Sequence, residues 1–225
     1  LQDNVMPEIL SKYPTVSVQY EGQNREAKKL TDSAWTAVPI ILFLIYVVIA
    51  FTFRSYSQPF LLMIMIPFSF IAVAWGHWIH DFPINILSML GIIALIRIMV
   101  NDGLVLIGKF NSYLREGMKF DEALYEAGRS RFRAIFLTSL TTIAGIAPLL
   151  LEKSRQAQFL KPMAISIAYG IGIATVLTLL ILPLLLSITN STKTGAKWLY
   201  SGDKVPKEDV ERAIKEQKEE KEHAA

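Results

Sequence analysis

Asp102 is the residue of this sequence that packing alone explains least. It stands with Asn101 and Arg97 inside an otherwise apolar run. An ionised aspartate at the centre of a membrane-spanning helix costs about 2.5 to 3.5 kcal/mol on insertion scales. Asp102 is therefore expected to be neutral or paired, and a carboxyl of that kind is what a proton carrier needs. The alternative is a carboxyl that only hydrogen-bonds a neighbouring helix. Asn101 suits interhelical bonding as well as membership of a relay. Arg97 cannot lose its charge, so it must find an anion or water. At about 100° per residue Arg97 and Asn101 share a helix face, whereas Arg97 and Asp102 diverge by about 140°. A direct pair between those two needs the reach of the arginine side chain.

Other chemistries are poorly supported. His77 and His80 lie at the end of a preceding apolar run, but with Cys 0 and few nearby carboxylates no metal site is expected. Neither an ATP-binding GxxxxGK[ST] pattern nor a nucleophile elbow is present, so neither a catalytic residue nor a cofactor is expected. Energy must come from an ion gradient or a partner. Ala164, Ala168 and Gly172 recur every fourth residue, as do Gly170, Ala174 and Thr178. Small faces of this kind are expected to pack helices closely.

The elements that position these groups follow from composition. Of 225 residues, 52% are hydrophobic and 19% charged, and mean hydropathy is +0.36. That excludes a disordered chain and is too apolar for an ordinary soluble domain. The formal charge is +3, but the basic residues lie between apolar runs rather than in one patch, which argues for topology signals and against a nucleic-acid partner. The expected fold is an all-α membrane protein with five transmembrane helices, preceded by a short remnant of a water-soluble domain. The transmembrane bundle covers 34–190, with helices near 34–53, 59–79, 84–108, 134–151 and 159–188, each about long enough to cross a bilayer. Pro67 is expected to kink the second. Residues 1–33 are polar, with a strand near 15–20. The connector 109–133, holding Lys109, Arg115, Lys119, Arg129, Arg131 and Arg133, reads as cytoplasmic, which also places the C-terminus inside. Within it, residues around Asp121 to Ala127 read as a short amphipathic helix. The charged cytoplasmic tail covers 191–225, and its Lys- and Glu-rich stretch, 203–223, is expected to be a solvated helix or frayed end rather than a docked element.

The run Leu90-Gly91-Ile92-Ile93-Ala94-Leu95, then Val100-Asn101-Asp102-Gly103-Leu104, Arg115-Glu116-Gly117, Glu122-Ala123-Leu124 and Arg131-Phe132-Arg133, followed by Leu137-Thr138-Ser139 through Gly145, Pro148-Leu149, Pro162-Met163-Ala164, Gly170, Ala174-Thr175 and Pro183, resembles the resistance-nodulation-division (RND) family of proton-driven efflux transporters. The likeness covers about residues 10 to 190 and is to the last five membrane helices of the second half, of the acriflavin-resistance or hydrophobe-exporter type. It implies that 1–33 ends a periplasmic α/β pump domain and that an earlier half of the transporter is missing.

The same resemblance implies a homotrimer in the bacterial inner membrane, surrounded by lipid, with a periplasmic adaptor and an outer-membrane channel as partners. Its substrates would be amphipathic drugs, dyes or lipids. Arg131 and Thr138 match the family's arginine and threonine of the following helix. Being seven residues apart, they lie two turns along one face. Each has a plainer reading, Arg131 as a topology anchor and Thr138 as a hydroxyl bonded to its own helix. The sequence departs from the family at Val100, where many drug exporters have a lysine, and at Arg97, where a small residue is usual. Arg97 either pairs with an acidic residue of the missing half or is a lesion. The rival reading is a non-transporting accessory or receptor-like membrane protein, and the isolated chain is expected to be an inactive fragment.

Overall fold

Apolar runs separated by short polar turns fold into a bundle of helices. The computed structural model describes residues 39–201, 206–215 and 217. The segment 1–33 and its expected strand lie outside the described residues, among which there is no strand. In chain order the helices are α1 (Pro39–Phe53), α2 (Ser57–Ile79), α3 (Ile86–Arg115), α4 (Phe120–Leu151) and α5 (Arg155–Val176). A π-helical turn (Leu177–Ile181) leads into α6 (Leu182–Ser201), and a 3-10 turn (Glu208–Val210) follows. Residues Leu42–Ala225 form one compact unit, and Leu1–Ile41 another. Of the latter only 39–41, the start of α1, are described.

Four helices among the described residues are long and apolar enough to cross a membrane: α2, α3, α4, and the continuous helix Arg155–Leu199. Over its described residues α1 is apolar but shorter. Pro67 sits inside α2 without ending it.

Within Leu42–Ala225, α5 is the central helix and packs against α2, α3 and α4. The main core joins Leu61, Leu62 and Met65 of α2, Leu95, Met99 and Leu106 of α3, and Ile171 of α5 with Leu182 of α6. In lipid, burial of apolar surface gives helices little reason to associate, so close packing must hold them together. Bare backbone provides it. A Cβ on Gly91 would lie 2.7 Å from the Met163 carbonyl oxygen, and one on Gly170 would collide with Leu95.

Short connections fix the neighbours. Asn85 caps α3 in a capping box with Ser88, its side chain accepting the Ser88 N–H at 3.1 Å while Ser88 Oγ accepts the Asn85 N–H at 3.2 Å, which satisfies two otherwise orphan donors. At the other end of α3, Gly117 takes φ 89°, with Gly117 N–H on Leu114 O at 3.0 Å and Met118 N–H on Tyr113 O at 3.1 Å. This is a Schellman stop, where a left-handed residue is needed and glycine takes it without a Cβ clash.

The connector differs from its expected form. α3 runs on to Arg115 and α4 starts at Phe120, so most of 109–133 is helix continuous with the spans, and only 116–119 is a turn. The cause is a second small core of Phe110, Leu114, Phe120, Ala123 and Ala127, in which the Phe110 and Phe120 rings meet edge to face at 5.4 Å. The tail differs too. Lys119, the N-cap of α4, makes no side-chain cap. Glu208 makes one instead, its Oε1 accepting the Phe120 N–H at 2.8 Å. Lys207 Nζ pairs with Asp121 at 2.8 Å, and Val210 and Ala213 are buried. Residues 206–215 are thus docked rather than solvated, because an uncapped helix start and an apolar hollow give them something to bind.

Candidate functional site

α3 has two faces. Ser88, Gly91, Leu95, Met99, Gly103, Leu106, Phe110 and Leu114 form the buried one, a stripe at the three- and four-residue spacing of a helix. Arg97 and Asn101 lie on the exposed one, with Ile93 and Val105. Asp102 sits at the border and is half-buried. Arg97 is eleven residues into α3, roughly 16 Å along its axis, which is mid-span.

On α4, Thr138 is exposed and donates to the Ala134 carbonyl at 2.8 Å, a bond back to its own helix. Arg131 is half-buried, and its Nε is enclosed with no hydrogen-bond partner among the described residues. No hydrogen bond or ion pair among the described residues joins Arg97, Asp102, Arg131 and Thr138 to one another. Of the small residues of α5, Ala164, Ala168 and Ala174 are buried, and Gly170 lies against Leu95. Gly172 is more open, a Cβ there coming only within 3.9 Å of Ile143.

His77 is buried in α2. Its Nδ1 is 3.0 Å from the Phe82 carbonyl oxygen and its Nε2 3.0 Å from Ser166 Oγ. The carbonyl only accepts, so Nδ1 carries a proton, and the Ser166 hydroxyl also lies 3.1 Å from the Pro162 carbonyl oxygen, to which it donates. His80 Nε2 meets Tyr169 Oη at 3.0 Å. Both histidines therefore tie α2 to α5.

Three polar contacts escaped sequence reasoning. Ser139 of α4 and Thr175 of α5 bring their hydroxyls within 2.6 Å, both buried. Gln58 and Asn111, also buried, exchange two amide hydrogen bonds, of 2.9 and 3.0 Å, between α2 and α3. The third is His77 with Ser166. The signal available was a polar residue at a core position of an otherwise apolar helical pattern, which needs a partner when buried. The Ser139–Thr175 pair lies on the wall of a groove of about 260 Å³ between α4 and α5, otherwise lined mainly by apolar residues such as Phe132, Phe136 and Leu180.

Known proteins share this arrangement of helices. Residues 3–190 match the AcrB/AcrD/AcrF family. The swarming motility protein SwrC of Bacillus subtilis is 29% identical over 77% of this chain and 16% of its own length. The cobalt-zinc-cadmium resistance protein CzcA of Cupriavidus metallidurans is 28% identical over 78% of this chain and 17% of its own. The chain thus spans about a sixth of the curated relatives it matches. The crystal structure of a heavy metal efflux pump superposes with a TM-score of 0.68 at 21% identity, over 85% of this chain and 20% of that one. A family match over most of the sequence, carried on a bundle of apolar helices of the same fold, makes this chain a membrane segment of an RND efflux transporter of the AcrB/AcrD/AcrF family.

Proposed function

We propose that the chain is the C-terminal membrane part of a proton-driven exporter, and that Asp102 takes up and releases the coupled proton. The observation that carries this reading is the exposed polar stripe of Arg97 and Asn101 beside Asp102, mid-span in α3. A guanidinium facing acyl chains is costly, so this stripe calls for a cover of protein or water. An earlier half of the transporter supplies that cover, with an acidic group for Arg97. Arg131 and Thr138 of α4 belong to the path by family resemblance. The small residues of α5, Ala164, Ala168, Gly170, Gly172 and Ala174, serve to pack the bundle.

In this reading α1 completes a fifth span, and residues 1–33 end a periplasmic domain. The Lys- and Arg-rich end of α3 and α4 faces the cytoplasm of a bacterial inner membrane, as does the C-terminus. The whole transporter is a trimer working with a periplasmic adaptor and an outer-membrane channel. Movement of helices about mid-membrane polar groups is the general physics of such carriers. Its cargo is amphipathic, whether drugs, dyes or lipids. Divalent metal cargo is the second reading, favoured by relatives named for cobalt, zinc and cadmium or for nickel and cobalt resistance. The test is export by the full-length gene product in cells, with dye and metal cargoes side by side, with and without an uncoupler. Export of either cargo that stops on collapse of the proton gradient supports proton coupling, and the exported cargo names the class. Export that survives the uncoupler contradicts the proposal.

A further inference from the structure

Thr178 is unusual among the threonines of the bundle. Thr138, Thr142 and Thr175 each return their hydroxyl to the carbonyl four residues back, at 2.8 Å. Thr178 is 1% exposed, yet its Oγ1 has no hydrogen-bond partner among the described residues. A buried hydroxyl without a partner is costly and needs a reason.

The reason lies in the backbone. Thr178 sits in the π-helical turn Leu177–Ile181, where the Leu182 N–H reaches back five residues to Leu177 O. Pro183 follows at once. A proline ring crowds the carbonyl four residues back and offers no N–H, so the helix widens, and the carbonyl that residue 183 would otherwise serve loses that donor. Such π-bulges recur at functional sites. The result is a notch with a free hydroxyl and a freed carbonyl in an otherwise apolar wall.

The notch lies at the level of Asp102. α3 and α5 run in the same direction, since Gly91 meets Met163, Leu95 meets Gly170, and Gly103 meets Leu182. Asp102 is seven residues beyond Leu95, and Thr178 is eight beyond Gly170. Both steps are about two turns along the same contact stripe, so the two residues share a level to within about a turn. One turn before Thr178, Thr175 meets Ser139 of α4 at 2.6 Å. Thr178 thus lies, along the helix axis, within about a turn of both the level of Asp102 and the Thr175–Ser139 contact.

We propose that Thr178 is a positioning residue of the transporter, its hydroxyl and the carbonyl that Pro183 leaves without a donor holding a water against the Asp102 carboxyl. That water accepts from the Asp102 carboxylic acid and donates to the Asp102 carboxylate, so Thr178 holds in place the partner with which Asp102 exchanges its proton, and no charge is left on the threonine. The inference rests on the reading of Asp102 as the proton carrier.

The test uses the full-length transporter in proteoliposomes and reads cargo-driven proton flux together with the midpoint of thermal unfolding. Thr178→Val fills the same volume without the hydroxyl. It is expected to lower the flux about a hundredfold, the low side of what a positioned proton-transfer group contributes, while the midpoint stays or rises because an unpaired polar atom is gone. Thr178→Ser restores most of the flux. Pro183→Ala, which returns an N–H to the notch, lowers it as well and serves if the valine variant does not accumulate. Flux within about twofold of wild type in either Thr178→Val or Pro183→Ala overturns the proposal. Asp102→Asn separates the two ideas. If it leaves the flux intact, the reading of Asp102 falls and the notch falls with it. If Asp102→Asn abolishes flux while Thr178→Val does not reduce it, only the notch falls.

Discussion

Leu95 of α3 occupies the space that any side chain at Gly170 of α5 would need. This contact sets how closely the two central helices approach, and with it the register that brings Asp102 level with Thr178. Gly170→Ala is expected to destabilise the bundle by about 1 to 3 kcal/mol through overpacking. Gly172→Ala, whose new methyl would come no closer than 3.9 Å to Ile143, is expected to be nearly neutral. Thermal unfolding of the two variants in detergent checks the contrast, and equal midpoints would contradict it.

Gln58 and Asn111 hold α2 to α3 by two reciprocal amide bonds. Gln58→Leu leaves the buried Asn111 amide without its partner and should cost about 1 to 3 kcal/mol. The double variant Gln58→Leu with Asn111→Leu removes both polar groups and should recover most of that loss. A double-mutant cycle on unfolding midpoints reads the coupling, and strict additivity would show that the pair is not coupled.

Glu208 caps α4 from a distant part of the chain. Glu208→Ala should cost about 1 kcal/mol, as loss of an N-cap does, and should raise amide exchange at Phe120 above that of Ala127. Unchanged exchange at Phe120 would mean that the docking of 206–215 does not protect the helix start.

Arg97 should matter for transport more than for folding of α3, since its side chain is exposed on this bundle. Arg97→Gly in the full-length transporter should lower proton-coupled export about tenfold, the worth of about 1.4 kcal/mol in a barrier, whereas Arg97→Lys keeps the charge and part of the activity. Cellular export assays at matched expression decide this. Wild-type export by the glycine variant would remove the pairing assigned to Arg97.

Much of the fold is legible in the sequence because lipid imposes one rule, that a spanning backbone be helical and apolar. The runs around α2, α3 and α5 stand out for that reason. What is not legible are places where a helix outlasts its apolar stretch. Phe110, Leu114, Phe120, Ala123 and Ala127 are too sparse to read as a core until α3 and α4 fold back at Gly117. The π turn before Pro183 and the docking of Glu208 depend on partners that no local pattern names. For the site, Asp102, Asn101 and Arg97 are conspicuous as polar residues in an apolar run. Their distribution over an exposed face and a border is not, since it depends on which stripe of α3 the glycines of α5 receive. Ser139 and Thr175 read singly as ordinary helix hydroxyls and become a pair only when α4 and α5 are side by side.

Proton uptake by the full-length transporter carrying Asp102→Asn, reconstituted in proteoliposomes with cargo on one side, bears most directly on proton-driven export. Asparagine has nearly the same shape and cannot carry the proton. Cargo-driven proton flux and export are expected to fall together to background, with protein level and unfolding midpoint unchanged. Wild-type flux in that variant would contradict the assignment of Asp102 as the proton carrier.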